Sequence, residues 1–397
     1  MNKLKRKVRS HYKNVYFWGN VILKVLSLTN EFEEEHFGGA GTAVTGMLQM
    51  FSKQGIQQVI VVPHCRKNAP AWVIGQGNLK KLSLPRSEAY FRHLGLINSE
   101  KVLLEFPELK EEWDLIHIHA INFAPLAYAI SGGRIPLLYS VYSILREELE
   151  NNAAPDLQAQ FEVQDGLLTK CQRIHLISQR EGHYLNTKFP ELLKRTKVVP
   201  LGINPPQERW LGGNPNALLY VGRLLVYKGI EDLIKALYIV KQSGRTFTLD
   251  IVGKGLDDYE NRLKTLVQCQ QLGKYVRFHG WEIDQQSVGQ WMKRTGILIV
   301  PSHKEAFGLV ALEGMATGIP LITSNADGLA ELANPSCALI FDSGNIGQLV
   351  QVINKALDNP SLMYSLARNA QQRAAMLEWS KLVPKYLELY SEVIRNA

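Results

Sequence analysis

Cysteine is scarce in this sequence, and the spacing of the few cysteines argues against two kinds of cross-linked domain. Four cysteines occur in 397 residues, far apart and without a Cys-x-x-Cys pair. A disulfide framework or a structural zinc site requires cysteines that recur at short spacings. We therefore expect reduced core thiols in a cytoplasmic protein, at Cys65, Cys171, Cys269 and Cys337.

Long apolar runs are also missing. No stretch reaches the roughly 18 apolar residues that a membrane-spanning helix needs. Asn20 and Lys24 interrupt the apolar segment that follows the basic N-terminus, and no Ala-x-Ala cleavage site comes after it, so a signal peptide is not indicated. Apolar residues make up 46% and charged residues 21% of the chain, which is typical of a globular enzyme.

Positive charge is concentrated at one end of the chain. The formal net charge is +8, and residues 1–20 form a basic extension that begins with six lysines and arginines in thirteen positions. This extension is either a solvated terminus or a contact with anionic lipid at the inner face of the membrane, where each basic residue contributes about 1 kcal/mol. We expect no nucleic-acid partner.

Strand-like and helix-like patterns alternate along the chain and predict an α/β fold with two Rossmann-like, doubly wound domains. The first domain spans residues 21–203 and the second spans residues 217–378. Residues 204–216 carry three prolines and two glycines and are the predicted linker. Two such halves place a ligand in the cleft between them.

The final segment, residues 379–397, has apolar residues at helical spacing. They are Leu382, Tyr386, Leu389, Tyr390 and Val393. The pattern predicts a helix that packs either on the first domain or against a second copy of the chain.

The most informative segment runs from Ile297 to Leu332. It predicts a buried strand, a loop, a helix that ends at Gly318, and the next strand. Seven residues separate two glutamates, Glu305 in the loop and Glu313 two turns into the helix. Ligands in open α/β sheets bind where a strand leads into a helix, so both carboxylates can meet one ligand.

A nucleotide sugar suits this arrangement. Each carboxylate can accept hydrogen bonds from two vicinal hydroxyls, so one glutamate suits a hexose and the other a ribose. A diphosphate would lie between them at the positive end of the helix, against the free amides near Phe307, Gly308 and Leu309. The alternative is that both glutamates are ordinary surface carboxylates.

This segment resembles the retaining family-4 glycosyltransferases of the GT-B fold, whose signature is a Glu-x7-Glu helix entry. The resemblance covers nearly the whole chain beyond residue 20. It implies that Glu305 contacts the donor hexose and that Glu313 holds the ribose. It also implies that the C-terminal helix crosses back to the first domain.

Two cations follow the strand pattern ALLYVG. Arg223 and Lys228 lie in one loop beside glycines, where a planar fork and a point charge can neutralise a leaving diphosphate without a divalent metal. The resemblance implies the same role for both and no metal cofactor. The alternative is a pair of surface cations.

A glycine-rich loop around Gly39 opens the first long helix. Its glycines allow a close approach to an anion, although the spacing is not that of a dinucleotide fingerprint. The resemblance implies that the loop packs against the diphosphate and borders the acceptor pocket. An acidic run precedes it, either solvated or facing the acceptor, at Glu31, Glu33, Glu34 and Glu35.

Histidines at three positions are candidate functional residues. His117 and His119 lie on one face of a strand, but a metal site is not favoured because no third ligand is spaced nearby. The resemblance implies that His119 reaches the sugar near its reacting carbon, while His117 satisfies a core hydrogen bond. His303, beside Glu305, either adjusts substrate fit or is a rim residue.

Further segments resemble the family in their position along the chain, although their residues are not identical to the family's. Gly253 resembles a turn near the nucleotide, and Trp281 and Glu282 resemble the segment whose backbone contacts the base. Asp327 departs from the pattern, since it stands where the family often carries paired glycines.

The sequence therefore predicts a hexosyltransferase that uses a UDP-sugar, with UDP-glucose favoured, and retains the anomeric configuration. The acceptor is a carbohydrate or a lipid-linked molecule. Two alternatives stay open: a nucleotide-sugar epimerase or phosphorylase-like enzyme on the same fold, and a catalytically idle scaffold that binds a sugar nucleotide.

Overall fold

The structure is a computed structural model that describes residues 23–33, 38–66, 70–146, 155–206, 209–280 and 285–396. It divides into two compact units. The first contains the chain up to Pro200 together with the segment from Trp379 onward, and the second spans Leu201–Glu378. The predicted basic extension lies outside the described residues.

The first unit is built on an eight-stranded sheet. Its strands are β1 (Lys24–Leu28), β2 (Gln57–His64), β3 (Trp72–Gln76), β4 (Leu79–Pro85), β5 (Leu115–Ile118), β6 (Leu137–Val141), β7 (Arg173–Leu176) and β8 (Thr196–Val198). The spatial order is β3-β4-β2-β1-β5-β6-β7-β8, and only the β3–β4 pair is antiparallel. The helices are α1 (Gly39–Lys53), α2 (Ser99–Glu105), α3 (Ala124–Ser131), α4 (Pro155–Lys170), α5 (Gln179–Lys188) and, at the end of the chain, α13 (Trp379–Arg395).

The second unit is built on a six-stranded parallel sheet. Its strands are β9 (Asn214–Val221), β10 (Thr248–Val252), β11 (Val276–Gly280), β12 (Thr295–Val300), β13 (Leu321–Ser324) and β14 (Leu339–Phe341), in the order β11-β10-β9-β12-β13-β14. The helices are α6 (Ile230–Gln242), α7 (Asp257–Cys269), α8 (Gln285–Arg294), α9 (Leu309–Thr317), α10 (Asp327–Leu332), α11 (Ile346–Asp358) and α12 (Pro360–Ala375). The α/β class and the two Rossmann-like sheets predicted from the sequence are confirmed.

Three strands were not predicted from the sequence. The edge hairpin β3–β4 contains Gly75 and the adjacent lysines Lys80 and Lys81, so its apolar pattern is weak. Strand β14 has only three residues. The predicted linker, residues 204–216, is also too long, because β9 begins at Asn214 and pairs there with Thr295 of β12.

The prediction that all four cysteines are core residues is wrong for two of them. Cys171 and Cys337 are buried, whereas Cys65 and Cys269 are exposed. Cys65 follows the last residue of β2, and Cys269 is the last residue of α7. Both lie where an element leaves the core. No helix in the described part of the chain is long and apolar enough to cross a membrane.

Helix α13 packs on helix α1 within the first unit. The five apolar positions predicted to face a core are all buried. Phe51 of α1 contacts the rings of Tyr386 and Tyr390, with centroids 5.8 and 5.3 Å apart. The Trp379 ring lies so close to Gly46 that a β-carbon there would be 2.3 Å from its indole nitrogen.

Candidate active site

The carboxyl-end loops of the second sheet bring two of the predicted functional residues into contact. Lys228 lies in the turn between β9 and α6, and Glu305 lies in the loop between β12 and α9. Their side chains form an ion pair, with Lys228 Nζ 2.6 Å from Glu305 Oε2. The two side chains are only 16% and 19% exposed, so solvent screens this pair less than a pair on the open surface.

A close approach of backbone to backbone holds these two loops together. Gly229 has φ of 69°, and a β-carbon there would lie 1.9 Å from the carbonyl oxygen of Pro301. The amide of His303 donates to the carbonyl oxygen of Tyr227 at 2.7 Å. The imidazole of His303 also bonds to Asp232 Oδ2 at 2.7 Å, so this histidine ties the glutamate loop to the first turn of α6.

The loop that carries Arg223 is held against the next loop of the sheet. A β-carbon at Gly253 would lie 1.8 Å from the carbonyl oxygen of Gly222, which explains the need for glycine at this predicted turn. The Tyr220 hydroxyl donates to the carbonyl oxygen of Arg223 at 2.9 Å. Burial, and then the nearby negative charge of Glu305, raise the pKa of Tyr220, which therefore stays a neutral donor.

Arg223 and Lys228 are separated by an aromatic side chain. The guanidinium of Arg223 is exposed and donates to the Tyr227 hydroxyl at 3.3 Å. The ammonium of Lys228 lies 5.4 Å from the centre of the same ring. The loop therefore presents one exposed cation and one half-buried cation.

Helix α9 has the predicted end at Gly318, which has φ of 90°. It begins after Gly308, which has φ of 96° and packs so close to Leu329 that a β-carbon would lie 2.6 Å from it. Phe307 is buried, and Glu313 is half-buried in the second turn. The first amides of a helix lack intrahelical acceptors, so this end of α9 can receive an anion beside Lys228 and Glu305.

The backbone of Glu305 is held at both of its polar groups by the first two residues of α10, the helix that follows β13. Its amide donates to Asp327 Oδ2 at 3.3 Å. Its carbonyl oxygen accepts from the amide of Gly328 at 2.8 Å. The sequence marked Asp327 only as a departure from a pattern, and its contact with Glu305 was not predicted.

In the first unit, His117 makes the predicted core hydrogen bond and a second one. Its Nδ1 lies 2.8 Å from the Tyr390 hydroxyl, and its Nε2 lies 2.7 Å from Ser140 Oγ. Ser140 Oγ in turn lies 2.7 Å from His175 Nδ1, and His175 Nε2 lies 2.8 Å from the carbonyl oxygen of Val199. The carbonyl oxygen of Val199 can only accept, so His175 donates to it through Nε2 and accepts from Ser140 at Nδ1. Since these groups are neutral, His117 then donates to Ser140 through Nε2 and accepts from the Tyr390 hydroxyl at Nδ1.

His119 lies beside this series of hydrogen bonds, but one of its ring nitrogens has no hydrogen-bond partner within the described part of the chain. Its ring is tilted by 39° from that of His117 with the centroids 3.8 Å apart, and its Nδ1 lies 2.8 Å from the Tyr142 hydroxyl. The buried Nε2 has no hydrogen-bond partner among the described residues. Burial lowers the pKa of His119 to about 3, so the imidazole is neutral at ordinary pH.

The His119 side chain lines a cavity of about 190 Å³ within the first unit. Polar groups from several elements surround it, including Asn30, Glu31, Asn122 and Gln164. The first turn of α1, which the sequence predicted to be a glycine-rich loop, contributes Ala40 and Gly41, whereas the first residue of this helix, Gly39, is exposed. In the acidic run before this loop, Glu31 lines the cavity and Glu33 pairs with Lys81, with their charged atoms 3.3 Å apart. Glu34 and Glu35 lie outside the described residues.

Comparison with known proteins assigns both halves of the chain to glycosyltransferase families. Residues 37–207 match Glycosyltransferase Family 4, and residues 206–373 match Glycosyl transferases group 1. The chain belongs to the GT-B glycosyltransferases. A glycogen synthase from Mycobacterium tuberculosis is 33% identical over 178 residues, which cover 44% of this glycosyltransferase and 42% of that enzyme.

Solved structures share the fold along almost the whole chain. Sucrose-phosphate synthase from Thermosynechococcus elongatus superimposes with a TM-score of 0.76 at 21% identity, covering 94% of this glycosyltransferase and 100% of that chain. HepE from Anabaena, solved in complex with UDP-glucose, superimposes with a TM-score of 0.72 at 20% identity, covering 93% of this chain and 99% of that one. At these identities the likeness establishes the GT-B fold alone.

Two predicted donor contacts, Trp281 and Glu282, lie outside the described residues of this glycosyltransferase. The strand before them is described, and His279 bonds there to Asp250 Oδ1 at 2.7 Å. Among the described residues, no group of three or more His, Cys, Asp or Glu side chains is arranged to hold a metal ion.

Proposed function

We propose that this glycosyltransferase transfers a hexose from a UDP-sugar, with UDP-glucose as the favoured donor, to a carbohydrate or lipid-linked acceptor. We also propose that transfer retains the anomeric configuration and needs no divalent metal. The observation that carries this proposal is the contact of Lys228 with Glu305 beside the amino end of α9. The contact supports the proposal because a cation suits a diphosphate and a carboxylate suits sugar hydroxyls, and the two are adjacent.

Stabilisation of the leaving group follows from the charges on the donor loops. Lys228, Arg223 and the first amides of α9 take up the negative charge that develops on the diphosphate as the bond to the anomeric carbon breaks. Two cations on one loop supply the charge that a divalent metal provides in other transferases. Glu313, in the second turn of α9, accepts from the ribose hydroxyls.

The acceptor attacks the anomeric carbon from the face that the diphosphate leaves. The acceptor oxygen forms the new bond to this carbon, the bond to the diphosphate oxygen breaks, and the acceptor proton passes to that diphosphate oxygen. No protein base is required. Because His119 is neutral, it acts in this scheme through Nε2 as a hydrogen-bonding partner of a sugar hydroxyl.

The choice of UDP-glucose rests on likeness. HepE, which has the same fold, was solved with UDP-glucose bound.

The cavity beside His119 has the polar lining that a hydroxylated acceptor group requires, since amide, hydroxyl and carboxylate side chains surround it.

The test is calorimetric titration of the full chain with UDP, GDP, ADP and their hexose conjugates in EDTA, with donor hydrolysis followed in the same samples. We expect tight binding of the UDP series and slow hydrolysis of one UDP-hexose without metal. NMR of the released or transferred sugar then gives its anomeric configuration. Absence of binding to every nucleotide would refute the proposal, and an isomerised or phosphorylated sugar as product would replace it with an epimerase or a phosphorylase-like enzyme.

A further inference from the structure

Asp327 adopts a backbone conformation that side chains rarely occupy. Its φ is 43°, and only three other non-glycine residues in the described part of the chain have positive φ: Glu33, Leu94 and Gln271. Glycine occupies this region without the steric conflict between a β-carbon and the backbone. Residues in sparsely populated backbone conformations persist where the surrounding structure holds them there, and they cluster at functional sites.

The contacts of Asp327 identify that task. Its Oδ2 accepts from the amide of Glu305 at 3.3 Å, and the next residue, Gly328, donates its amide to the carbonyl oxygen of Glu305 at 2.8 Å. A β-carbon at Gly328 would lie 2.4 Å from the carbonyl oxygen of Ala306. The Asp327–Gly328 turn is therefore pressed against the glutamate loop and bonds both backbone polar groups of one residue.

Glu305 also carries the carboxylate that pairs with Lys228. Glu305 makes both contacts. Its amide donates to Asp327 Oδ2, and its Oε2 lies 2.6 Å from Lys228 Nζ. An error in the backbone position of Glu305 would move its carboxylate relative to the cation and to a bound sugar. Catalysis is sensitive to displacements of about 1 Å.

We propose that Asp327 is a positioning residue for Glu305, and that the chain keeps an aspartate in a strained conformation because its carboxylate fixes the backbone of the sugar-binding glutamate. The effect on transfer rests on the proposed function, whereas the effect on the Glu305 backbone does not. Asp327 acts by holding the Glu305 amide, and Glu305 contacts the substrate.

Three variants of the full chain separate this role from a structural one. Asp327→Gly removes the carboxylate and relieves the strained φ. Asp327→Asn keeps an oxygen that accepts from the Glu305 amide, and asparagine also tolerates positive φ. Gln271→Gly is the matched control, because it relieves a φ of 52° at an exposed turn after α7.

The first readout is hydrogen exchange of the Glu305 amide, which needs no substrate. We expect Asp327→Gly to speed exchange by about tenfold or more, as the amide loses its acceptor, and Asp327→Asn and Gln271→Gly to leave it close to wild type. Equal protection in wild type and Asp327→Gly would overturn the proposal. So would exposure of this amide in Asp327→Asn.

The second readout is donor turnover together with thermal unfolding. We expect Asp327→Gly to lower kcat about tenfold with UDP affinity unchanged, Asp327→Asn to lose much less, and Gln271→Gly to lose none. The thermal midpoint should stay within about 2 °C of wild type, because relief of strain offsets the added freedom of the unfolded chain. A full kcat in Asp327→Gly, or a kcat loss that merely follows a fall in the midpoint, would overturn the proposal. If wild type bound no sugar nucleotide, the proposed function would fail while hydrogen exchange still decided the role of Asp327.

Discussion

Lys228 Nζ lies 2.6 Å from Glu305 Oε2, although 77 positions separate the two residues in the sequence. The ion pair fixes the position of each side chain relative to the other. Because both side chains are largely buried, removal of one leaves a charge with reduced solvation, and such a loss is costly. In the proposed function, the pair therefore couples the cation assigned to the diphosphate to the carboxylate assigned to the hexose.

Substitution of the cation tests this coupling. We expect Lys228→Met to lower kcat/KM for the donor by about 100-fold, because it removes a preorganised positive charge from the leaving group. Lys264→Met is the control, since Lys264 pairs with Glu260 at a similar 2.8 Å on the surface of α7. Steady-state kinetics with UDP-glucose measures both. Equal losses in the two variants, or none in either, would contradict the role of Lys228.

The two glutamates should differ in which kinetic constant they change. We expect Glu305→Ala to abolish nearly all transfer, because its contact with the hexose strengthens as the bond breaks. Glu313→Ala should mainly raise the KM for the donor, since ribose binding contributes equally to the ground and transition states. Initial rates over a range of donor concentrations separate the two outcomes. Wild-type activity in Glu305→Ala, or an unchanged KM in Glu313→Ala, would refute the respective assignment.

The buried histidines of the first unit should make its stability fall in mild acid. Burial lowers the pKa of His119 to about 3 and that of His175 to about 4, and it lowers the pKa of His117 well below its usual value. In the unfolded chain each titrates near about 6.5. The unfolded state therefore binds more protons below about pH 6.5, and each histidine lowers the free energy of unfolding by up to about 1.4 kcal/mol per pH unit until its folded pKa is reached.

Urea denaturation at pH 7.5, 6.5 and 5.5 measures this slope. We expect it to be smaller in His119→Gln, which removes one of the three groups. His183→Gln should leave the slope as in wild type, because His183 is exposed on α5. A free energy of unfolding that stays constant from pH 6.5 to 5.5 would show that these histidines are not buried as neutral groups.

The contact between α1 and α13 should tolerate no added methyl group. At Gly46 a new β-carbon would meet the indole nitrogen of Trp379 at 2.3 Å, and we expect Gly46→Ala to destabilise the protein by about 1–3 kcal/mol. Gly166→Ala is the control, because this glycine is also inside a helix and its nearest contact, the Tyr128 hydroxyl, would lie at 3.7 Å. Helix propensity alone should stabilise that variant by about 0.5–1 kcal/mol. Denaturant midpoints compare the two, and a similar shift in both would show that Trp379 does not press on α1.

Local patterns predicted most of the two sheets and much of the candidate site. The buried parallel strands are continuous apolar runs, and helix α9 has its stop signal at Gly318, so these elements were predicted from nearby residues alone. The edge hairpin β3–β4 and the short strand β14 lack such a run. Their pairing depends on a neighbouring strand, which no local pattern describes.

By itself, the sequence determined the alternation of strands and helices, the Glu-x7-Glu helix entry and the apolar face of α13, because each is a property of residues close together in the chain. The tertiary structure alone decided which of these residues meet. It joined Lys228 to Glu305 across three crossovers, Asp327 to the Glu305 amide, and Tyr390 to His117 over 273 positions. The physical reason is that parallel strands bring distant loops to one edge of a sheet, where contacts depend on strand order and register.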